Sequence, residues 1–164
     1  MVIRTAKVLL VLMIGLFSLL VGLDNIVDYG TNYAFVQHVM SMDTVFPTST
    51  LTWRAITSPA VHHIAYAFII TAELLAGLLC ILGARRLWLA RASAANRFNA
   101  AKDLAVAGLT LGFAIWFFGF LIIGGEWFQM WQSQTWNGQQ AAFRFIGCIG
   151  FVLLFLAQKD DELA

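Results

Sequence analysis

Leu104 to Ile123 reads LAVAGLTLGFAIWFFGFLII, a run of apolar and small residues without a single charge. Twenty residues at about 1.5 Å each reach across about 30 Å, the hydrocarbon thickness of a bilayer. Three other stretches share this character. Val8 to Leu23 (VLLVLMIGLFSLLVGL) extends past Asp24 and Asn25 to Val27. Ile64 to Ala84 is interrupted only by Glu73, and a stretch from about Ala141 to Ala157 carries Arg144 near its start. Spans are expected at about residues 8–27, 60–84, 104–124 and 140–157.

Composition supports the same reading. Of 164 residues, 60% are hydrophobic and 12% charged, against about 45–50% and about 25% in soluble domains. A chain this short leaves much of its surface exposed and cannot hide the excess. An ordinary soluble enzyme, a disordered chain and a secreted disulfide scaffold are excluded. The net charge of +1 argues against a nucleic-acid partner, which needs a basic face. No repeat or linker divides the chain. The expectation is one all-α domain over residues 1–164: a polytopic membrane four-helix bundle with short interfacial helices in its outer loop.

Arg4 and Lys7 ahead of the first span resemble a signal-peptide n-region. No small-x-small site follows the apolar run, so it reads as a retained anchor. Arg4, Lys7, Arg85, Arg86, Arg91, Arg97, Lys102 and Lys159 fall in alternate connections, whereas the other two hold only Arg54, with Arg144 just inside the fourth helix. The positive-inside rule then makes both termini and the 85–103 loop cytoplasmic. Trp53, Trp127, Trp131 and Trp136 fall at the outer boundary and Trp88 at the inner one, where an indole keeps its N–H wet. Ser58-Pro59 reads as the N-cap and first position of the second helix. Tyr33–Met42 and Leu51–Ile56 read as short helices at the outer interface, joined by a turn at Phe46–Thr50. Trp127, Met130 and Trp131 would form a ridge if the third helix ran on past Gly124-Gly125.

Helical spacing sorts the polar residues onto faces. His62, Tyr66, Glu73 and Cys80 share one side of the second helix. Gly15, Ser18, Gly22 and Asn25 share one side of the first. Gly108, Gly112 and Gly119 mark the third, and Asn137, Gln140, Arg144 and Gly147 the fourth. Polar groups find no partner in lipid, so these faces should turn inward. Glu73 lies midway along its helix, where ionisation is expensive. It is either a proton-handling or ligand-binding carboxylate, or a packing residue kept neutral or paired with Arg144. Glu126 is the other possible partner of Arg144.

His38, His62, His63 and Asp43, with Glu126, have metal-ligand chemistry but no ligand spacing, so no metal site is expected. No second span supplies a histidine for bis-histidine haem. Cys80 and Cys148 fall within spans and form no CxxC, so they read as packing thiols. Gly-rich nucleotide loops and GxSxG are absent. No cofactor is expected.

The segments NYAFVQHVMSMDTVFP (Asn32–Pro47), WRAI (Trp53–Ile56) and GGEWFQMWQSQTWNGQ (Gly124–Gln139) resemble a bacterial family of predicted small integral membrane proteins of unknown function. The likeness covers nearly the whole chain. It implies four spans in a bacterial cytoplasmic (inner) membrane, and carries no assigned reaction and no catalytic residues.

Three functions compete. The first is an accessory, scaffolding or self-associating subunit, whose partners would be lipid, further copies or other membrane proteins. The second is an outward-facing lipid, quinone or small-molecule site, with or without catalysis. Its candidate lining is Asn25, His38, His62, Tyr66, Glu73, Glu126, Trp127, Trp131, Asn137 and Arg144. The third, a transporter or channel, lacks the repeats and broken helices that such proteins use. The first is the preferred reading, and enzymatic activity is not favoured.

Overall fold

The computed structural model describes residues 1–162. Helix α1 (Val2–Val27) ends at Asp28, and α2 (Tyr29–Ser41) starts at once in a new direction. Helix α3 (Pro59–Ala90) begins at the expected proline. A short α4 (Ala95–Ala100) leads through a turn into α5 (Asp103–Ala114), which widens into a π-helical segment over Ile115–Trp127. Helix α6 (Gln139–Ala157) closes the bundle. Among the described residues there is no strand.

Four stretches are long and apolar enough to cross a membrane: Val2–Val27, Pro59–Ala90, Ala95–Trp127 and Gln139–Ala157. They overrun the expected spans, most at residues 2–7, 85–90 and 95–103. Hydropathy marks only the apolar part of a helix, while backbone hydrogen bonding continues through good helix formers such as Arg85 and Arg86. The outer loop also differs from expectation. Its first helix starts at Tyr29, earlier than Tyr33, and stops at Met42 in the left-handed region (φ 52°). Its second shrinks to a single 3-10 turn, Thr52–Arg54.

Close backbone approach builds the bundle around α3. A Cβ on Gly83 would stand 2.5 Å from the backbone N of Ala105, and one on Gly108 would stand 2.7 Å from that of Cys80. On the other side of α3, a Cβ on Gly77 would lie 2.9 Å from the backbone N of Leu19. Small residues thus let α1, α3 and α5 touch at their backbones, as membrane helices do where dispersion replaces the hydrophobic effect. The expected glycine stripe on the third helix does not act as one face. Gly108 meets α3, Gly112 meets Ile149 of α6, and Gly119 has nothing near it. Beyond Ala114 the turn widens to i→i+5, closing with Phe128 N–H on Ile123 O at 3.0 Å. A 3.6-residue period no longer applies there.

Two further expectations fail for local reasons. The helix stops at Trp127, and Gln129 turns left-handed (φ 56°). Met130 is therefore buried with Val39, Met42 and Phe128 while Trp127 and Trp131 are exposed, so no ridge forms. On α6 the inward face is Ala142, Ile146, Ile149, Val152 and Leu156, whereas Asn137, Gln140 and Arg144 are exposed. These polar residues sit at or near an end of the helix, where a long side chain can reach water and nothing forces it inward.

The termini meet at one end. Arg4 and Lys7, the basic residues ahead of the first span, are each 2% exposed. Arg4 donates to the carbonyls of Arg91, Ser93 and Asp161 at 3.1, 2.6 and 2.7 Å. Lys7 and Lys102 pair with the Asp160 carboxylate at 2.6 and 2.7 Å, and both also donate to Gln158 O. Both termini and the 85–103 segment therefore share one end of the bundle, and the 28–58 and 128–138 segments share the other.

Candidate functional site

Midway along α3, Glu73 is 3% exposed and has a hydrogen-bonded partner on α1. Asn25 Nδ2 donates to Glu73 Oε2 at 2.7 Å. Asn25 Oδ1 accepts from Asn32 Nδ2 at 2.6 Å, and its backbone carbonyl accepts from the Tyr66 hydroxyl at 3.1 Å. The break at Asp28 makes this possible. A straight helix would hold residues 25 and 32 about 10 Å apart along its axis, whereas the turn folds Asn32 back over the end of α1.

These groups border an open-sided cavity of about 230 Å³, lined further by Phe35, Trp116, Phe120 and Phe145, with Gly138 and Ala141 at its α6 edge. Next to it an apolar groove of about 620 Å³ runs between α2, α3 and the π segment. Phe35, Val36, Ile69 and Phe120 belong to both walls. A buried carboxyl and two amides thus face a headgroup-sized space that adjoins room for a hydrocarbon chain. Ligand sites generally combine a few convergent polar groups with apolar walls in this way.

A family model described as predicted small integral membrane protein (DUF2165) matches residues 3–159. The chain belongs to that family. It is an integral membrane protein with four candidate spans, in keeping with the family description. No curated protein and no solved structure matches it.

Of the sequence candidates, the structure brings together Asn25, Tyr66 and Glu73. His62 sits one turn above Tyr66, where its Nε2 donates to Ile56 O at 2.6 Å, and it takes no part in the cavity wall. Glu126, Trp127, Trp131, Asn137 and Arg144 are exposed and lie outside it. Arg144 pairs with neither Glu73 nor Glu126: the ion pairs among the described residues are Lys7 and Lys102 with Asp160, and His38 with Asp43.

The metal candidates are dispersed. His38 Nδ1 lies 2.7 Å from Asp43 Oδ2 and its ring stacks on Trp136. His63 is hydrogen-bonded to the Tyr29 hydroxyl at 2.8 Å and stacks on Tyr33 at 4.2 Å. Among the described residues, no three His, Cys, Asp or Glu side chains converge as a metal would require. Both thiols are free, Cys80 buried and Cys148 exposed.

Sequence reasoning missed Asn32 and the aromatic wall. Asn32 follows Asn25 by seven residues, a spacing that matters only once the chain is seen to fold back at Asp28. Trp116 and Phe120 lie in the π segment, beyond the reach of a 3.6-residue wheel.

Proposed function

We propose that this protein binds a small amphipathic molecule within the membrane, at the Asn25–Asn32–Tyr66–Glu73 cluster. The observation that carries this reading is the junction of the polar cavity with the apolar groove through shared walls. About 230 Å³ is room for a head alone, since even one water takes about 30 Å³. The remainder of a ligand would occupy the groove. Exposed Ile64 and Phe68 on the groove give a bilayer-dissolved molecule a route in that avoids water. The distribution of lysine and arginine supports cytoplasmic termini, and with that orientation the cluster would lie in the outer half.

Native mass spectrometry after mild detergent extraction tests the reading. Wild-type protein is expected to carry a small-molecule adduct that is lost in Ala141→Phe, which fills the cavity from its rim. An adduct retained equally by both proteins, or absent from both, would overturn it.

An accessory or self-associating subunit is the second reading. It is favoured by the far end of the bundle, where Trp53 is 70% exposed, packs edge-on to Trp127 and shares the Arg54 guanidinium with it. Exposed indoles with arginine suit a protein interface. Of the third-helix glycines that would serve such an interface, Gly108 is engaged with α3 and Gly112 with α6, while Gly119 has nothing near it. In the same spectra this reading predicts the mass of a complex.

A further inference from the structure

The wall chemistry of the cavity narrows its ligand. Phe35, Phe120, Trp116 and Phe145 form a continuous aromatic surface, with successive ring centroids 5.9, 4.7 and 4.6 Å apart. Aromatic faces are electron-rich and attract cations, most strongly where water is excluded. Two oxygens on the same cavity are left without a protein partner. Asn25 occupies Glu73 Oε2, which leaves Oε1 without a protein partner. Asn32 uses one of its two amide N–H groups on Asn25, and its own carbonyl oxygen has no protein partner. Among the described residues no cation of the chain pairs with Glu73. A carboxyl, a spare amide oxygen and aromatic faces complement a positive, hydrogen-bond-donating group and repel an anion.

The geometry points to a lipophilic ammonium ion as the ligand, its head between Glu73 and the aromatic wall and its hydrocarbon chain in the neighbouring groove. This rests on the binding reading above and specifies it. The groove is assigned to the chain of the same molecule because Phe35, Val36, Ile69 and Phe120 border both spaces. A head in the cavity therefore places its chain in the groove and against the lipid. The ammonium supplies the charge that a carboxylate at this depth otherwise lacks, and the carboxylate holds the cation where lipid alone would not.

The test uses the full chain in phosphatidylcholine nanodiscs, titrated with radiolabelled dodecylamine. Empty nanodiscs serve as the blank and unlabelled dodecanol as the competitor. The expected result is saturable binding that weakens about 100-fold in Glu73→Gln, since one partner of a buried charge pair is lost. Asp103→Asn, exposed at the opposite end, should bind like wild type, and dodecanol should fail to displace the amine. Unchanged affinity in a folded Glu73→Gln protein would overturn the inference. So would displacement by dodecanol at matched concentration; the cavity would then take neutral amphiphiles, and only the broader binding reading would stand. Saturable binding of neither probe would remove both. If Glu73→Gln fails to fold, the dodecanol competition on wild type decides alone.

Discussion

Asn25 Nδ2 donates to Glu73 Oε2 at 2.7 Å, fastening the last turn of α1 to the middle of α3. Through Asn32 the same side chain also holds the start of α2. Asn25→Leu keeps the volume close but strands the buried Glu73 carboxyl. Stranded buried groups cost about 1–3 kcal/mol, and we expect a loss of that size in denaturant unfolding from detergent. Glu73→Gln retains an acceptor for Asn25 and should cost less than about 1 kcal/mol. Equal losses would show that the charge, and not the amide, holds these three segments.

Gly83 separates two kinds of glycine substitution. A methyl there meets the backbone N and Cα of Ala105 at 2.5 and 2.6 Å. Backbone cannot step aside as a flexible side chain can, so α3 and α5 must part. Gly83→Ala is expected to destabilise by about 2 kcal/mol or more. Gly147, on α6, has nothing within 4 Å. Gly147→Ala should be neutral, or stabilising by up to about 1 kcal/mol through helix propensity. Thermal melts of the two proteins side by side check the contrast.

The faces of α1 and α3 were legible because a charge-poor helix has so few polar residues that their spacing is decisive. Gly15, Ser18, Gly22 and Asn25 are buried together, as are His62, Tyr66, Glu73 and Cys80. The same reasoning failed on α6, whose polar residues lie at its outer end and gain nothing by turning inward. On the third span the π turn after Ala114 takes Gly119 off the face, and Gly108 and Gly112, still in α-helix, meet two different neighbours, α3 and α6. Three of the four polar residues of the candidate site were therefore readable: Asn25, Tyr66 and Glu73 by period, but not Asn32, which depends on the fold-back at Asp28. The burial of Arg4 and Lys7 was equally hidden, since their carbonyl partners belong to segments distant in sequence.

Asp160 should give the protein a step in acid stability. Burial pushes its carboxyl up, but hydrogen bonds from the Lys102 and Lys7 ammonium groups outweigh this and hold it below the ordinary 3.8. A carboxyl depressed on folding stabilises fully above its unfolded value, and that stability is lost as the pH falls through the folded value. Melting temperature should hold from about pH 7 to about pH 5 and drop below about pH 4. Asp160→Asn leaves two buried lysines without their counter-charge. It should start about 3 kcal/mol less stable near neutrality and show a weaker acid step. Matching acid profiles in the two proteins would mean that another carboxyl governs the transition.

The two ends of the bundle differ in charge in a way that predicts an orientation. One end collects Arg4, Lys7, Arg85, Arg86, Arg91, Arg97, Lys102 and Lys159, while the other holds Arg54 and Arg144. Short loops rich in lysine and arginine stay on the cytoplasmic side. Thr48 and Ala92 are exposed at opposite ends, and each can be changed to cysteine in a Cys148→Ala background, with Cys80 left in place because it is buried. An impermeant maleimide added to intact cells should label Thr48→Cys directly. It should label Ala92→Cys only after permeabilisation. The reverse pattern would put the Asn25–Glu73 cluster in the cytoplasmic half and restrict its ligand to molecules arriving from within the cell or from the inner leaflet.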